Sequence, residues 1–428
     1  MTKPLKLAIA GLGTVGVGIV KMVQQNGDLL AARVGRPIEI VAISARSRSK
    51  DRGVDLSTYD WEDDAVALAR RGDVDVLIEV IGGEDGPAKA TVETALGNGK
   101  HVVTANKALM AIHGQNLAEL AEENNVALRF EAAVAGGIPI VKALTEGLAG
   151  NKIERVMGVM NGTCNYIVTE MEKTGANYAD VLRDAQELGY AESDPTVDVG
   201  GFDAAHKLSL LAATAFGTQV NFGGVKIEGI ERISLTDIKN AADMGYRIKL
   251  LGVARMNDSG LEQRMQPCLV PANSPLGTLD GVTNMVVVDG DFVGQTVYQG
   301  PGAGEGPTAS AIMGDVMDIA RGLIIPVFGQ PAKTLAPAKQ SNRGADAEYY
   351  LRLSLADEAG VMAAVSAKLG EHDISINRMH QYDHDGDAAP VIIVTHKVSR
   401  SKLDEALGEI AKMDASLEEP IAIRIETV

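Results

Sequence analysis

The sequence predicts an α/β protein in three parts, and three observations carry that expectation. Short apolar, β-branched runs alternate with helical stretches over residues 1–135, the pattern of a parallel sheet with right-handed crossovers. A glycine-rich turn, Gly11-Leu12-Gly13-Thr14-Val15-Gly16, stands between the first such run and the first helix. Residues 348–428 follow another order, strand–helix–strand–strand–helix–strand, which reads as a small α+β sandwich. A chain of 428 residues is also too long for one ordinary core.

In the first part, strands are expected at Leu5–Ala10, Ile38–Ser44, Val74–Val80, His101–Thr104 and Val126–Phe130, with a helix from the glycine turn to about Gln25. The second part, residues 136–304, opens at Gly136-Gly137-Ile138-Pro139 and is less regular. It holds a strand at Ile153–Met160, helices at Tyr178–Leu188 and Phe202–Phe216, and strand-like segments such as Met285–Val288 in a more mixed sheet. A second glycine-rich loop near Gly300 leads into a helix reaching Met317, and residues 305–330 are expected to return to the first domain. Residues 331–347, with Pro331 and Pro337 among small and polar neighbours, read as a linker. In the tail, strands are expected at Tyr349–Leu355, Ile374–His380, Val391–Val398 and Ile421–Ile425, with helices at Gly360–Leu369 and Ser401–Lys412.

Composition narrows the function classes. A net charge of -17 argues against nucleic acid as a partner, because phosphate binding needs a basic face. The only cysteines, Cys164 and Cys268, make neither a disulfide framework nor a metal-ligand spacing, which fits a reducing compartment. No apolar run approaches the roughly 20 residues that span a bilayer, and the N-terminal Met-Thr-Lys-Pro carries no signal-peptide pattern. A cytoplasmic protein is expected.

The turn at residue 11 fits a dinucleotide site of the Rossmann type. Gly11 permits the tight turn, Gly13 lets the backbone approach a pyrophosphate, and Gly16 lets helix and strand pack closely, while the helix N-terminus offers free N–H groups. An NAD site usually ends its second strand on an acid; here the position reads Ser44-Ala45-Arg46-Ser47-Arg48-Ser49-Lys50. Cations and hydroxyls there suit a ribose 2′-phosphate, so NADP is expected over NAD. Trp61 reads as the anchor of a surface loop.

The densest polar segment runs from Gly189 through Glu192, Asp194, Asp198 and Asp203 to His206 and Lys207. Asp203 and Lys207 are four apart and share one helix face. A surface ion pair is the plain alternative; beside a nucleotide turn and an acidic loop, the pair reads as a substrate site. Carboxylates there hold an ammonium group, and a lysine protonates a developing alkoxide. On the bare sequence Lys107 and Lys207 compete for that role. Cys164 has no histidine close in sequence and reads as a structural thiol rather than a nucleophile; His206 reads as packing or solvated.

Several strings together closely resemble the homoserine dehydrogenase family: Gly11–Gly16, Thr104-Ala105-Asn106-Lys107, Glu131-Ala132-Ala133-Val134-Ala135-Gly136-Gly137-Ile138-Pro139-Ile140, Asn161-Gly162-Thr163-Cys164-Asn165-Tyr166, Gly189–Lys207 and Gly302-Ala303-Gly304-Glu305. The resemblance spans essentially everything before the linker. It implies reduction of aspartate 4-semialdehyde to homoserine by a nicotinamide cofactor, with Lys207 as proton donor and Lys107 touching cofactor and substrate. Glu192 and Asp203 would bind the substrate, with Asp198 and Thr163 beside them. Thr14, Val15, Arg46, Gly189 and Gly304 match cofactor-contacting positions. Glu131, with the carbonyls of Val134, Gly136 and Ile138, matches a monovalent-cation site, usually sodium; oxygen-only ligands with one carboxylate suit such an ion.

The tail resembles an ACT domain through Leu355-Ala356-Asp357-Glu358-Ala359-Gly360-Val361-Met362 and Ile374-Ser375-Ile376-Asn377. That resemblance implies amino-acid binding where the turn before the first helix meets the second strand at a dimer interface, with Asp357, Gly360 and Asn377 as candidates and threonine as the feedback ligand. A homodimer through the middle domain, or a homotetramer joined by the tails, is expected. Two rivals stay open: a reductase of a related amino aldehyde, and a non-catalytic sensor joining a nucleotide fold to a ligand domain. The intact lysines speak against the sensor, which needs no proton donor.

Overall fold

In the computed structural model, which describes residues 3–341, 344–381 and 388–428, the glycine turn sits where the first sheet reverses its strand order. That sheet is made of β1 (Leu5–Ala10), β2 (Ile38–Ser44), β3 (Asp60–Glu62), β4 (Val76–Glu79), β5 (His101–Thr104) and β6 (Leu128–Arg129). Its order is β3-β2-β1-β4-β5-β6 with every pairing parallel. The chain thus winds outward from β1 in one direction, then from β4 in the other, leaving a crevice at the carboxyl ends of β1 and β4 where such sheets bind ligands. Three of the five expected strands keep their expected bounds, the other two shrink by one or two residues at each end, and β3 is an addition. The helix after the turn runs farther than expected, Thr14–Val34, and stops only at Gly35, which takes a left-handed φ of 75° and donates its N–H to the Ala31 carbonyl.

The helix Glu305–Ala320 returns to this sheet, as the sequence suggests. Ala309, Ile312, Met313, Val316 and Ile319 join Leu7, Ile9, Ile19 and Val20 in one buried cluster. The two helices touch so closely that a Cβ on Gly18 would lie 2.7 Å from Glu305 Cγ, and Lys21 clamps Glu305 at 2.7 Å.

The second sheet begins with β7 (Ile153–Val159), β8 (Lys226–Ile227), β9 (Tyr246–Asn257), β10 (Gly260–Pro271), β11 (Thr283–Gly290) and β12 (Gly294–Pro301). Helices Gly162–Thr174 and Phe202–Phe216 cover one face; on the other, Met157, Val159, Leu251, Val253, Val270 and Met285 pack under the Leu276–Leu279 loop. The β9–β10 hairpin is the largest element that sequence reading missed. Its alternation is masked by buried polar side chains: Lys249, Glu262, Gln263 and Arg264 all lie inside.

The tail has the expected βαββαβ order: β13 (Glu348–Ala356), helix Val361–Glu371, β14 (Ile376–Gln381), β15 (Ala388–Thr395), helix Arg400–Ile410 and β16 (Ile421–Ile425). It does not hang from a free linker. Residues 331–341 are laid along the second domain: Gln219 N–H donates to the Ala336 carbonyl at 2.8 Å, Leu261 N–H to the Lys339 carbonyl at 2.8 Å, and Ser341 N–H to the Leu261 carbonyl at 2.9 Å. Asn342 and Arg343 of the expected linker lie outside the described residues. More firmly still, β16 pairs in parallel with β10 through Cys268↔Arg424 and Leu269↔Ile425, so the tail sheet continues the catalytic one in the order β12-β11-β7-β9-β10-β16-β13-β15-β14. Among the described residues, no helix is long and apolar enough to cross a membrane.

Asp237 locks this junction from the side. It closes a capping box with Ser234 at the start of helix Leu235–Asp243, accepts from Tyr350 Oη at 2.9 Å and from Arg352 Nε at 2.8 Å, and is fully buried. Asp237→Ala therefore leaves a buried hydroxyl and a guanidinium without their acceptor, and thermal or urea unfolding is expected to show a loss of about 3 kcal/mol. An unchanged unfolding midpoint would mean that strand pairing alone holds the tail.

Candidate active site

Each glycine of the cofactor turn has its own steric reason. Gly11 sits at φ 109°, and a Cβ there would lie 2.5 Å from the Val80 carbonyl at the end of β4. At Gly16 a Cβ would meet the Gly11 carbonyl at 2.1 Å, so the helix packs on the turn itself. Gly13 faces open space and caps helix Thr14–Val34 without a side-chain hydrogen bond, leaving the first N–H groups available at Thr14 and Val15. Gly304 (φ 116°) likewise caps helix Glu305–Ala320 with no side-chain bond. The turn fits a pyrophosphate: backbone comes close, and no side chain fills the cradle.

Arg46, Arg48 and Lys50 are exposed in the loop after β2. Arg52, which sequence reading passed over, is its clasp: Nε donates to the Leu12 carbonyl at 3.0 Å, and Nη1 and Nη2 donate to Lys50 and Ser47 carbonyls at 2.8 and 2.7 Å. Trp61 lies under the guanidinium groups of Arg48 and Arg52, 5.9 and 5.7 Å from their carbons, and so anchors the loop. A basic loop is thereby tied to the carbonyl in the middle of the glycine turn.

Asp203 gathers the rest. It lies in the first turn of helix Phe202–Phe216, buried, with Lys207 one turn on. Its Oδ2 meets Lys207 Nζ at 2.7 Å, and its Oδ1 meets Lys107 Nζ at 2.9 Å. Lys107 starts helix Lys107–Glu123 of the first domain, capped by Asn106, so one carboxylate joins the two domains across the crevice. Burial alone would raise the Asp203 carboxyl, but the two ammonium groups override it and hold it well below the ordinary carboxylate range. The Asp203 charge in turn raises Lys107, with smaller help from Asp198 and Glu192. Lys207 also donates to the Met160 carbonyl at 2.8 Å.

The acidic loop is held from below by Asn161, a residue the sequence reading quoted without a role. Its carbonyl oxygen caps helix Gly162–Thr174 by accepting from Cys164 N–H, while Nδ2 donates to Asp198 at 2.9 Å and Asp203 at 3.2 Å. An asparagine just ahead of a helical run is the cap signature that would have exposed it. The Thr163 hydroxyl donates to the Tyr190 carbonyl at 2.6 Å, fixing the turn at Gly189 (φ 74°). Glu192 is exposed at the loop's rim. Burial raises the Asp198 carboxyl, against the pull of Asn161. His206 stacks on Phe222, ring centroids 4.1 Å apart, and is packing.

Glu131 lies apart from these lysines, buried on the Phe130–Pro139 loop. Its two oxygens accept from Val141 and Lys142 N–H at 2.9 and 2.8 Å. Burial, then the nearby Asp315, pushes Glu131 up to about 8; burial pushes Asp315 up to about 6. Lys142 bonds Asp315 and Asp318 at 3.2 and 2.5 Å. Arg129 and Arg321 also face these carboxylates, and each Glu131 oxygen keeps a further lone pair. The Val134, Gly136 and Ile138 carbonyls belong to the same loop. A Cβ on Gly136 would meet the Gly302 carbonyl at 2.4 Å, so this loop is wedged against the one leading to Gly304.

The tail does not unite its candidates within one chain. Asp357 and Gly360 follow the end of β13, where Ala356 pairs with Ala388; Asn377 lies between partners of Thr395 and Val394. Six residues of β15 separate the two levels, about 20 Å at the rise of a strand. They could share a ligand only across two copies.

Cys164 is buried, gives its thiol to the Asp198 carbonyl at 3.2 Å and is raised well above the usual thiol range by burial and nearby carboxylates. Cys268 is buried too and pushed up to about 12 by burial. Iodoacetamide at pH 8 is therefore expected to leave the folded protein unlabelled and fully active, with both thiols reacting in urea. Rapid inactivation of the native protein would reopen a nucleophilic role for Cys164.

Comparison with known proteins shows the family. Residues 139–317 match the family described as homoserine dehydrogenase, residues 11–131 match the homoserine dehydrogenase NAD-binding domain, and residues 349–415 match the ACT domain. A homoserine dehydrogenase of Neisseria gonorrhoeae is 43% identical over 100% of this chain and 99% of its own length. One from Pseudomonas aeruginosa is 42% identical over 99% of both. The crystal structure of a homoserine dehydrogenase from Thiobacillus denitrificans superposes with a TM-score of 0.94 at 39% identity, covering 99% of each chain. With that full-length likeness and the two lysines meeting on one carboxylate beside a dinucleotide turn, the chain belongs to the homoserine dehydrogenase family of NAD(P)-dependent oxidoreductases.

Proposed function

We propose that this chain reduces L-aspartate 4-semialdehyde to L-homoserine with NADPH, serving threonine, methionine and isoleucine biosynthesis. The observation that carries the reading is Asp203, shared by one lysine from each domain at the mouth of the nucleotide crevice. The bound nicotinamide supplies a hydride to the aldehyde carbon. Lys207 then stabilises charge on the substrate oxygen and gives it a proton. Asp203 keeps its two lysines aimed until the substrate displaces part of that contact. Glu192 and Asp198, on the loop facing Lys107, hold the substrate ammonium, and Thr163 fixes their loop through Tyr190. Arg46, with Arg48 and Lys50, receives the ribose 2′-phosphate; Gly11, Gly13, Thr14, Val15, Gly16, Gly189 and Gly304 line the cofactor. Purified protein is expected to reduce NADP in the presence of homoserine, and NAD less well. Lys207→Ala should lower kcat at least a hundredfold while cofactor Kd stays within about threefold. A large loss of cofactor binding with turnover intact would reverse the assignment.

A monovalent cation, sodium by preference, belongs at Glu131 with the carbonyls of Val134, Gly136 and Ile138. The support is Glu131 itself, a buried carboxyl whose oxygens accept from backbone N–H groups and keep further lone pairs. A carboxyl raised in the folded state favours folding below its unfolded pKa and loses that contribution as pH rises through the folded value. Stability without sodium should therefore fall from about pH 5 to pH 8, and the cation should restore it most at the upper end. The check is the melting temperature at pH 6 and pH 8, in sodium or tetramethylammonium chloride of equal strength. An equal sodium response at both pH values would sink the assignment. In the tail, threonine is placed between Asp357 and Gly360 of one copy and Asn377 of another, which requires a homo-oligomer.

A further inference from the structure

Glu79 is a fully buried charged residue of the first sheet and has no part in the reaction just described. It ends β4, pairs with Ala10 of β1, and is fully buried at the point where the strand order reverses. All of its contacts are donors from neutral groups. Oε1 accepts from the N–H of Ile81 at 2.7 Å and of Gly82 at 3.1 Å, and Oε2 accepts from Thr104 Oγ1 at 2.6 Å. The chain of bonds then continues: Thr104 Oγ1 accepts from Asn106 N–H at 3.0 Å, Asn106 Nδ2 donates to the Gly83 carbonyl at 2.6 Å, and Asn106 Oδ1 caps the helix that begins with Lys107.

We infer that Glu79 is a positioning residue that holds Lys107 in the active site through Thr104 and Asn106. The reasoning is one of hydrogen-bond direction. The Thr104 oxygen must accept from Asn106 N–H, so its proton needs an acceptor on the other side. A carboxylate accepts from all three donors at once, whereas a glutamine would turn an NH2 group towards Thr104 or towards the two backbone N–H groups. Burying a charge without a cation is unfavourable unless its hydrogen bonds are complete; here they fix the Ile81–Gly83 loop beside the glycine turn and the start of the Lys107 helix as one unit. Lys107 then reaches Asp203 of the other domain at 2.9 Å. A displacement on the order of 1 Å at such a group costs far more activity than stability.

This inference rests on the proposed placing of Lys107 at cofactor and substrate, and a double-mutant cycle separates the two. Glu79→Gln is expected to lower kcat/KM for homoserine about tenfold in the parent and to have no further effect in a Lys107→Met background. Thr104→Val, which removes the middle link, should behave the same way and serves if Glu79→Gln does not fold. Losses that multiply in the double variants, or parent-like kinetics for both Glu79→Gln and Thr104→Val, overturn the positioning role. If Lys107→Met alone leaves the rate unchanged, the placing of Lys107 fails, and the positioning role with it.

Discussion

One buried carboxylate determines how the rest of this molecule is arranged. Asp203 offers one oxygen to Lys207 on its own helix and the other to Lys107 on a helix of the first domain. Lys207 needs a counter-charge to be buried, and the two ammonium groups together hold the buried Asp203 carboxylate ionised. The two domains must therefore approach at this point or leave uncompensated charge behind. Asn161 adds a third tie, so the acidic loop, the lysines and the domain boundary are set by one connected network.

Around that network, backbones approach more closely than side chains would permit. The helix at Gly16 rests on the Gly11 carbonyl, Gly18 admits Glu305 of the returning helix, and Gly136 admits the Gly302 carbonyl. The last two contacts join segments more than a hundred residues apart, and they bring the second glycine loop to the crevice of the first. The helix N-termini at Gly13 and Gly304, neither closed by a side chain, are a consequence of the same packing.

The tail is part of the catalytic sheet rather than an appendage. Pairing of β16 with β10, and the grip of Asp237 on Tyr350 and Arg352, connect it to helix Leu235–Asp243, which packs against helix Gly162–Thr174.

The first sheet was legible because its strands are short, β-branched and separated by helices, and the glycine turn declares itself by spacing alone. So was the pairing of Asp203 with Lys207, because helix geometry puts residues four apart on one face. The β9–β10 hairpin was hidden by Lys249, Glu262, Gln263 and Arg264, buried polar residues that break alternation and bond distant partners such as Asn165 and Glu426. For the same reason Lys107 looked like a rival of Lys207 rather than its partner: the two are a hundred residues apart, and only packing brings them to one carboxylate. The separation of Asn377 from Asp357 and the mooring of residues 331–341 were likewise invisible, since neither register nor docking is written locally. The sequence by itself determined the elements, the cofactor turn and the chemistry available. Tertiary structure decided which charges meet, because burial makes a charge seek its partner wherever the chain brings one.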